Sequence, residues 1–193
     1  MRVLGLQEKT WSCETVLDQG ISNHCVGFAL AQFCNAEPLA NRFLDSYADT
    51  IYYAAKEIDE QYEMENGTTL RSGAKALQQL GCIDGYAFAK SIDEIASWVL
   101  HRGSVVTATY WFQGMQQIDE QGFVCVEGMN QGGHAWLIIG ANYRNPFKPY
   151  FVGLNSWGEA WGEHGRFKIT ASDLAKLLRL QGEAMTAIEV RKD

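Results

Sequence analysis

Four residues whose types could do chemistry together stand far apart in the chain, in the order Gln19, Cys25, His134 and Asn155. A thiol attacks as thiolate, an imidazole can take and return its proton, and side-chain amides can orient a ring or bind an oxyanion. Cys25 opens the stretch CVGFALAQFC, apolar almost all round, which predicts a helix buried on every side. A thiol in the first turn of such a helix feels the partial positive charge of unpaired N–H groups, which favours thiolate. Gly20 suits a tight turn before the helix, and Gln19 could join the Cys25 N–H in an oxyanion-binding pair. His134 follows two glycines in GGHAWLIIG, and Asn155 ends a strand-like run ahead of the loop SWGEAWGEHG. Singly, each has a plainer reading. A cysteine opening a buried helix is most often a small hydrophobe, a histidine at a strand end is most often a core residue, and tryptophans usually mark packing.

Composition narrows the field. The 193 residues are 47% hydrophobic and 20% charged, enough to bury a core. With 16 Lys+Arg against 23 Asp+Glu, the net charge of -7 argues against an electrostatic hold on nucleic acid or an anionic membrane. No apolar run reaches membrane-spanning length. The N-terminus begins with Met and lacks the basic-then-apolar pattern of an export signal, so a whole translated chain in the cytoplasm is expected. The five cysteines (Cys13, Cys25, Cys34, Cys82 and Cys125) form no CxxC pair, so neither a metal site nor a redox motif is expected, and all five should be reduced thiols.

The elements that must position these residues change character along the chain. Helices are predicted over Cys25–Cys34, from Ser46 to about Tyr62, from about Thr69 to Leu80, and from the capping-box form Ser91-Ile92-Asp93-Glu94 to Gly103. Strands follow at Ser104–Tyr110, Phe123–Val126, His134–Gly140, Tyr150–Asn155 and Gly165–Ile169, then a helix near Ser172–Leu180 and a strand at Ala184–Val190. The layout is α+β: a single domain over 1–193, with a helical lobe (about 11–103), a mostly antiparallel β lobe (about 104–190) and a cleft between them.

Together the motifs DQG…C, GGHAWLIIG and LNSWGEAWGEHGRFKI resemble those of the papain-like cysteine peptidases, in the same chain order of Gln, Cys, His and Asn. The resemblance runs from about Trp11 to Val190, and the segments IYYA (51–54) and GTTL (67–70) look like those of bacterial members. It implies a papain-like fold, helical lobe followed by an antiparallel, β-barrel-like lobe, and hydrolysis of protein or peptide substrates through an acyl-enzyme without metal or cofactor. Carried over, Cys25 is the nucleophile, His134 the acid and base, and Asn155 the residue that orients His134. Gln19 completes the oxyanion hole, and Trp157 shields the His134–Asn155 bond. By position, Gly67 and Thr68 resemble the backbone edge that pairs with an extended peptide. Gly133 and Ala135 border the pocket for the second residue upstream of the cut, and Asn23 and His24 are candidate substrate contacts beside the nucleophile. Trp111 and Phe112 are expected to serve lobe packing rather than substrate contact.

The departures are local. Where members commonly have C-G-S-C-W, this chain has Ser22-Asn23-His24-Cys25-Val26. Ser22 replaces a disulfide cysteine, and Asn23 replaces a glycine with the side chain that best tolerates left-handed backbone. His24 is expected to face solvent, and Val26 to be a core substitution. His134 follows Cys25 by only 109 residues, which points to trimmed loops ahead of it. No inhibitory segment is expected before Trp11, and a bacterial or phage origin is expected. Two other readings stay open: an interaction module that kept the fold and lost turnover, and a papain-like acyltransferase, isopeptidase or cell-wall peptide amidase. Oligomeric state is not legible.

Overall fold

A computed structural model describes residues 6–60 and 67–189. Helix α1 (Cys25–Asn35) forms where the sequence offers no polar face, and every residue from Val26 to Asn35 is buried. Two amphipathic helices cover it, α2 (Asp45–Ile58) and α3 (Leu70–Gln79). The α1–α2 contact is so close that a Cβ on Gly27 would lie 2.2 Å from the Ala48 carbonyl oxygen. Only glycine permits that approach. α2 stops at Ile58, and Tyr62, its expected end, lies outside the described residues. α3 starts as the sequence suggests, with the Thr69 hydroxyl accepting from the Ser72 N–H at 3.1 Å.

Among the described residues, seven strands form one antiparallel sheet. In chain order they are β1 (Glu8–Thr10), β2 (Gly85–Phe88), β3 (Val105–Phe112), β4 (Asn130–Asn142), β5 (Tyr150–Leu154), β6 (Arg166–Thr170) and β7 (Glu183–Glu189). The spatial order is β2-β7-β3-β4-β5-β6, with β1 also paired to β4. The sheet of the β lobe is open: among the described residues β2 and β6 end it and do not pair. Helices rather than closure bury its faces. α1, α2 and α3 share one core with Leu137, Ile139 and Val106, while α4 (Ile92–His101) and α5 (Ala171–Arg179) share a second with Trp136, Ile138 and Phe167. Alternate residues of β4 thus enter opposite cores, as a strand's period of two requires.

Three expectations are revised. α4 lies in the stretch assigned to the helical lobe, yet it packs in the second core through Ile95, Val99 and Leu100. At its start the Ser91 hydroxyl accepts from the Glu94 N–H at 3.2 Å, but the Glu94 carboxylate reaches the Lys90 N–H, at 2.7 Å, rather than that of Ser91. Phe123–Val126 is not a strand: Phe123 makes a lone bridge to Lys168, and Val124 and Val126 are buried from a loop.

Candidate active site

The turn before α1 is held from two sides. Gly20 takes the left-handed position at φ +56°, and its N–H donates to the Asp18 carboxylate at 2.9 Å. Asn23 does not adopt that conformation, so the tolerance anticipated for it is not used. The Gln19 N–H donates to the Ser156 carbonyl at 2.9 Å, and the Gly158 N–H donates to that of Leu17 at 3.1 Å. The segment carrying Gln19 is therefore strapped to the segment after Asn155. The Gln19 side chain is fixed as well: Oε1 accepts from the Ser156 hydroxyl and Nε2 donates to the Ser22 carbonyl, both at 2.8 Å. One amide N–H remains available.

Cys25 is the first residue of α1, with its sulfur against the backbone N–H of Ala135 on β4. Burial pushes the thiol up, and the backbone N–H groups of Ala135, Val26 and Cys25 itself pull it back down without winning. The helix start alone does not make this thiol a resting thiolate.

His134 is 7% exposed, and its Nε2 lies 2.7 Å from Asn155 Oδ1. The same oxygen accepts from the Ser156 N–H at 2.9 Å, which fixes the amide's orientation. Nε2 must therefore carry the proton, and Nδ1 presents a lone pair. Among the described residues no hydrogen bond joins Nδ1 to the Cys25 sulfur; such contacts often tighten only when substrate binds. Burial depresses the ring to about 4, against the raising effect of the Asn155 bond. Indoles supply that burial. Trp157 leans over the imidazole at 5.0 Å between centroids, Trp111 meets it edge-on at 4.9 Å, and Trp161 stands behind Trp157 at 5.2 Å. Trp111 is thus packed on the ring.

Cys25 and His134 open onto one groove of about 380 Å³, which Gly67, Thr68, Gly133 and Ala135 also line. Asn155 and Trp157 sit behind His134. Asn23 and His24 are not part of the groove's lining. His24 does not face solvent either. Its Nδ1 is 2.7 Å from Asp49 Oδ1, and its ring stacks on Tyr52 at 3.7 Å, both on α2. Val26 is buried, as a core substitution should be. The sequence reading missed Ala108, Thr109 and Tyr110, whose signal was the pairing of Thr109 opposite His134. It also missed Leu180 and Gln181, in the turn after α5, where no local pattern marks them.

The papain family cysteine protease model matches residues 18–187, most of the chain. The chain belongs to the papain family. Among this family's curated members, a cathepsin B-like cysteine proteinase 5 of Caenorhabditis elegans is 34% identical over 84 residues, 44% of this chain and 24% of that protein. Cysteine proteinase A of Leishmania mexicana is 38% identical over 80 residues, 40% of this chain and 21% of that one. The matched part thus spans about a quarter of such relatives. In fold, the chain is similar to xylellain, a cysteine protease from Xylella fastidiosa, with TM-score 0.77 and 19% identity over 97% of this chain and 88% of that one. It is also similar to the bromelain protease from Ananas comosus, solved with the E64 inhibitor, with TM-score 0.59 and 16% identity over 94% and 98% of the two chains. These neighbours bear out the papain-like α+β fold.

Proposed function

We propose that this chain is a thiol peptidase that hydrolyses peptide bonds of protein or peptide substrates through a Cys25 acyl-enzyme. The observation that carries it is the fixed His134–Asn155 bond, which leaves Nδ1 as the ring's proton acceptor in a residue lining the same groove as Cys25. Nδ1 takes the thiol proton as sulfur attacks the scissile carbonyl. Ionising either group alone is opposed by burial, but moving the proton between them creates opposite charges side by side, and each offsets the other's desolvation. The spare Gln19 N–H and the Cys25 N–H bind the oxyanion, and the imidazolium returns its proton to the leaving amine. Water, activated by the same ring, then releases the acyl group. Trp157 and Trp111 keep the His134–Asn155 bond dry, which strengthens it.

Among the described residues the groove's lining carries no Asp, Glu, Lys or Arg, which suits uncharged side chains beside the cut. The test uses a fluorogenic peptide library and a peptidyl epoxide. Expected are hydrolysis, covalent labelling of Cys25, and loss of both hydrolysis and labelling in Cys25→Ala, with hydrolysis also lost in His134→Ala. Hydrolysis that persists in folded Cys25→Ala would remove the proposal.

A further inference from the structure

Cys34, Tyr47 and Cys82 meet away from the groove and have no part in that chemistry. Cys34 stands in the last turn of α1, Tyr47 in the first turn of α2, and Cys82 in the bend after α3. The Tyr47 hydroxyl lies 3.2 Å from the Cys82 sulfur, and Cys34 belongs to the first core against which both Tyr47 and Cys82 pack, close enough for the two thiols to influence each other's charge. Cys34 is fully enclosed, whereas Cys82 is only half-buried. Two groups from two helices, a phenol and a thiol, therefore meet at a sulfur that solvent can reach.

Donors aimed at a sulfur favour its thiolate. The Cys34 and Tyr47 bonds lower Cys82 to about 6 against the opposing effect of burial, while Cys34, enclosed and donating, is held well above its ordinary range. The other thiols outside the groove differ. Cys13 is buried and raised to about 11, and Cys125, though exposed, is raised by partial desolvation and then by the Glu127 carboxylate.

We propose that Cys82 is a modification site for peroxides, with Cys34 as the resolving thiol that closes a disulfide between α1 and the bend after α3. In the first step the Cys82 thiolate attacks one oxygen of a hydroperoxide. The O–O bond breaks, sulfur is oxidised to sulfenic acid, and the other oxygen leaves as hydroxide or alkoxide, which takes up a proton. In the second step the Cys34 sulfur attacks the Cys82 sulfur, its proton leaves with the sulfenic hydroxyl as water, and the S–S bond forms. The peroxide is the only oxidant, reduced to water or to water and an alcohol. Cys82 lies outside any helix or strand, so its backbone can follow its sulfur toward Cys34.

The experiment uses the full chain with Cys25→Ala, which removes the competing nucleophile, and repeats the mapping on the unsubstituted chain to exclude a folding artefact. With iodoacetamide at pH 6.5, Cys82 should alkylate about tenfold faster than Cys125, because its larger thiolate fraction outweighs its weaker intrinsic nucleophilicity. Hydrogen peroxide should produce a Cys34–Cys82 peptide cross-link that dithiothreitol reverses. In Cys34→Ser, dimedone should instead trap sulfenic acid on Cys82, and Tyr47→Phe should slow Cys82 alkylation severalfold. A Cys82 rate no greater than that of Cys125, or peroxide treatment that leaves Cys34 and Cys82 unlinked, overturns the proposal. An unchanged rate in Tyr47→Phe overturns the role given to the phenol. None of these readouts depends on peptide hydrolysis.

Discussion

Gln19 and Ser156 clasp one another across the start of the site, and that clasp decides what the glutamine can do. With Oε1 and one N–H committed, the remaining N–H has a fixed direction. Gln19→Ala should lower kcat by roughly tens to hundreds, the scale of one oxyanion donor, with little change in KM; steady-state kinetics on one fluorogenic peptide checks this. His134 makes a second prediction, on stability. An unfolded histidine titrates near 6.5 and this one near 4, so between those values the unfolded chain binds more protons than the folded one. The stabilisation is complete above about pH 6.5, is lost as pH falls toward 4, and is on the order of 3 kcal/mol. Urea unfolding from pH 7 down to 4 should show that slope, and His134→Gln should flatten it. At this scale the chain was readable where chemistry restricts residue type, as at Gln19, Cys25, His134 and Asn155. It was unreadable where meaning comes from a distant neighbour. Nothing local says that Asp49 will hold His24, or that burial around Cys25 will outweigh its helix start.

At the scale of elements, Gly27 matters because it lies in the first turn of α1, the turn that carries the nucleophile, and seats that turn on α2. Gly27→Ala would drive a methyl against the Ala48 carbonyl oxygen and the Tyr52 side chain. Overpacking of that kind should cost about 3 kcal/mol, measured by urea unfolding, and should depress epoxide labelling of Cys25 along with it. The long periodic elements were legible. α1, α3, α4 and α5 lie within a few residues of their expected positions, and β3 to β7 follow apolar, β-branched runs. β1 and β2, of three and four residues, were not, because strands so short gain their order from β4 and β7 and carry no pattern of their own. Phe123–Val126 misled for the opposite reason. Its apolar residues are needed in the second core, but the backbone of Cys125 turns to Gly114 instead of running along a partner strand.

At the scale of the molecule, β4 belongs to both cores, so neither lobe can lose its packing alone. The helical lobe leans on Ala135, Leu137 and Ile139, and the opposite face rests on Trp136 and Ile138. A single calorimetric transition is expected, with Leu137→Ala shifting the whole transition by about 2–5 kcal/mol rather than splitting it; two separated peaks would contradict this. The Arg71–Glu183 pair also ties α3 to β7, but it is largely exposed, so Arg71→Met should change stability by less than about 1 kcal/mol. The change from mostly helices to mostly strands near Gly103 was legible, though β1, β2 and α5 cross it and α4 packs in the second core; the sharing of one strand by both cores depends on alternation through a continuously apolar run. The indoles around His134 carry one more consequence. Three of the chain's six tryptophans stand at or just behind that imidazole, and a positively charged ring quenches a neighbouring excited indole. Ultraviolet emission should therefore dim as the ring gains its charge, so the protein reports the state of its own proton carrier without any added dye.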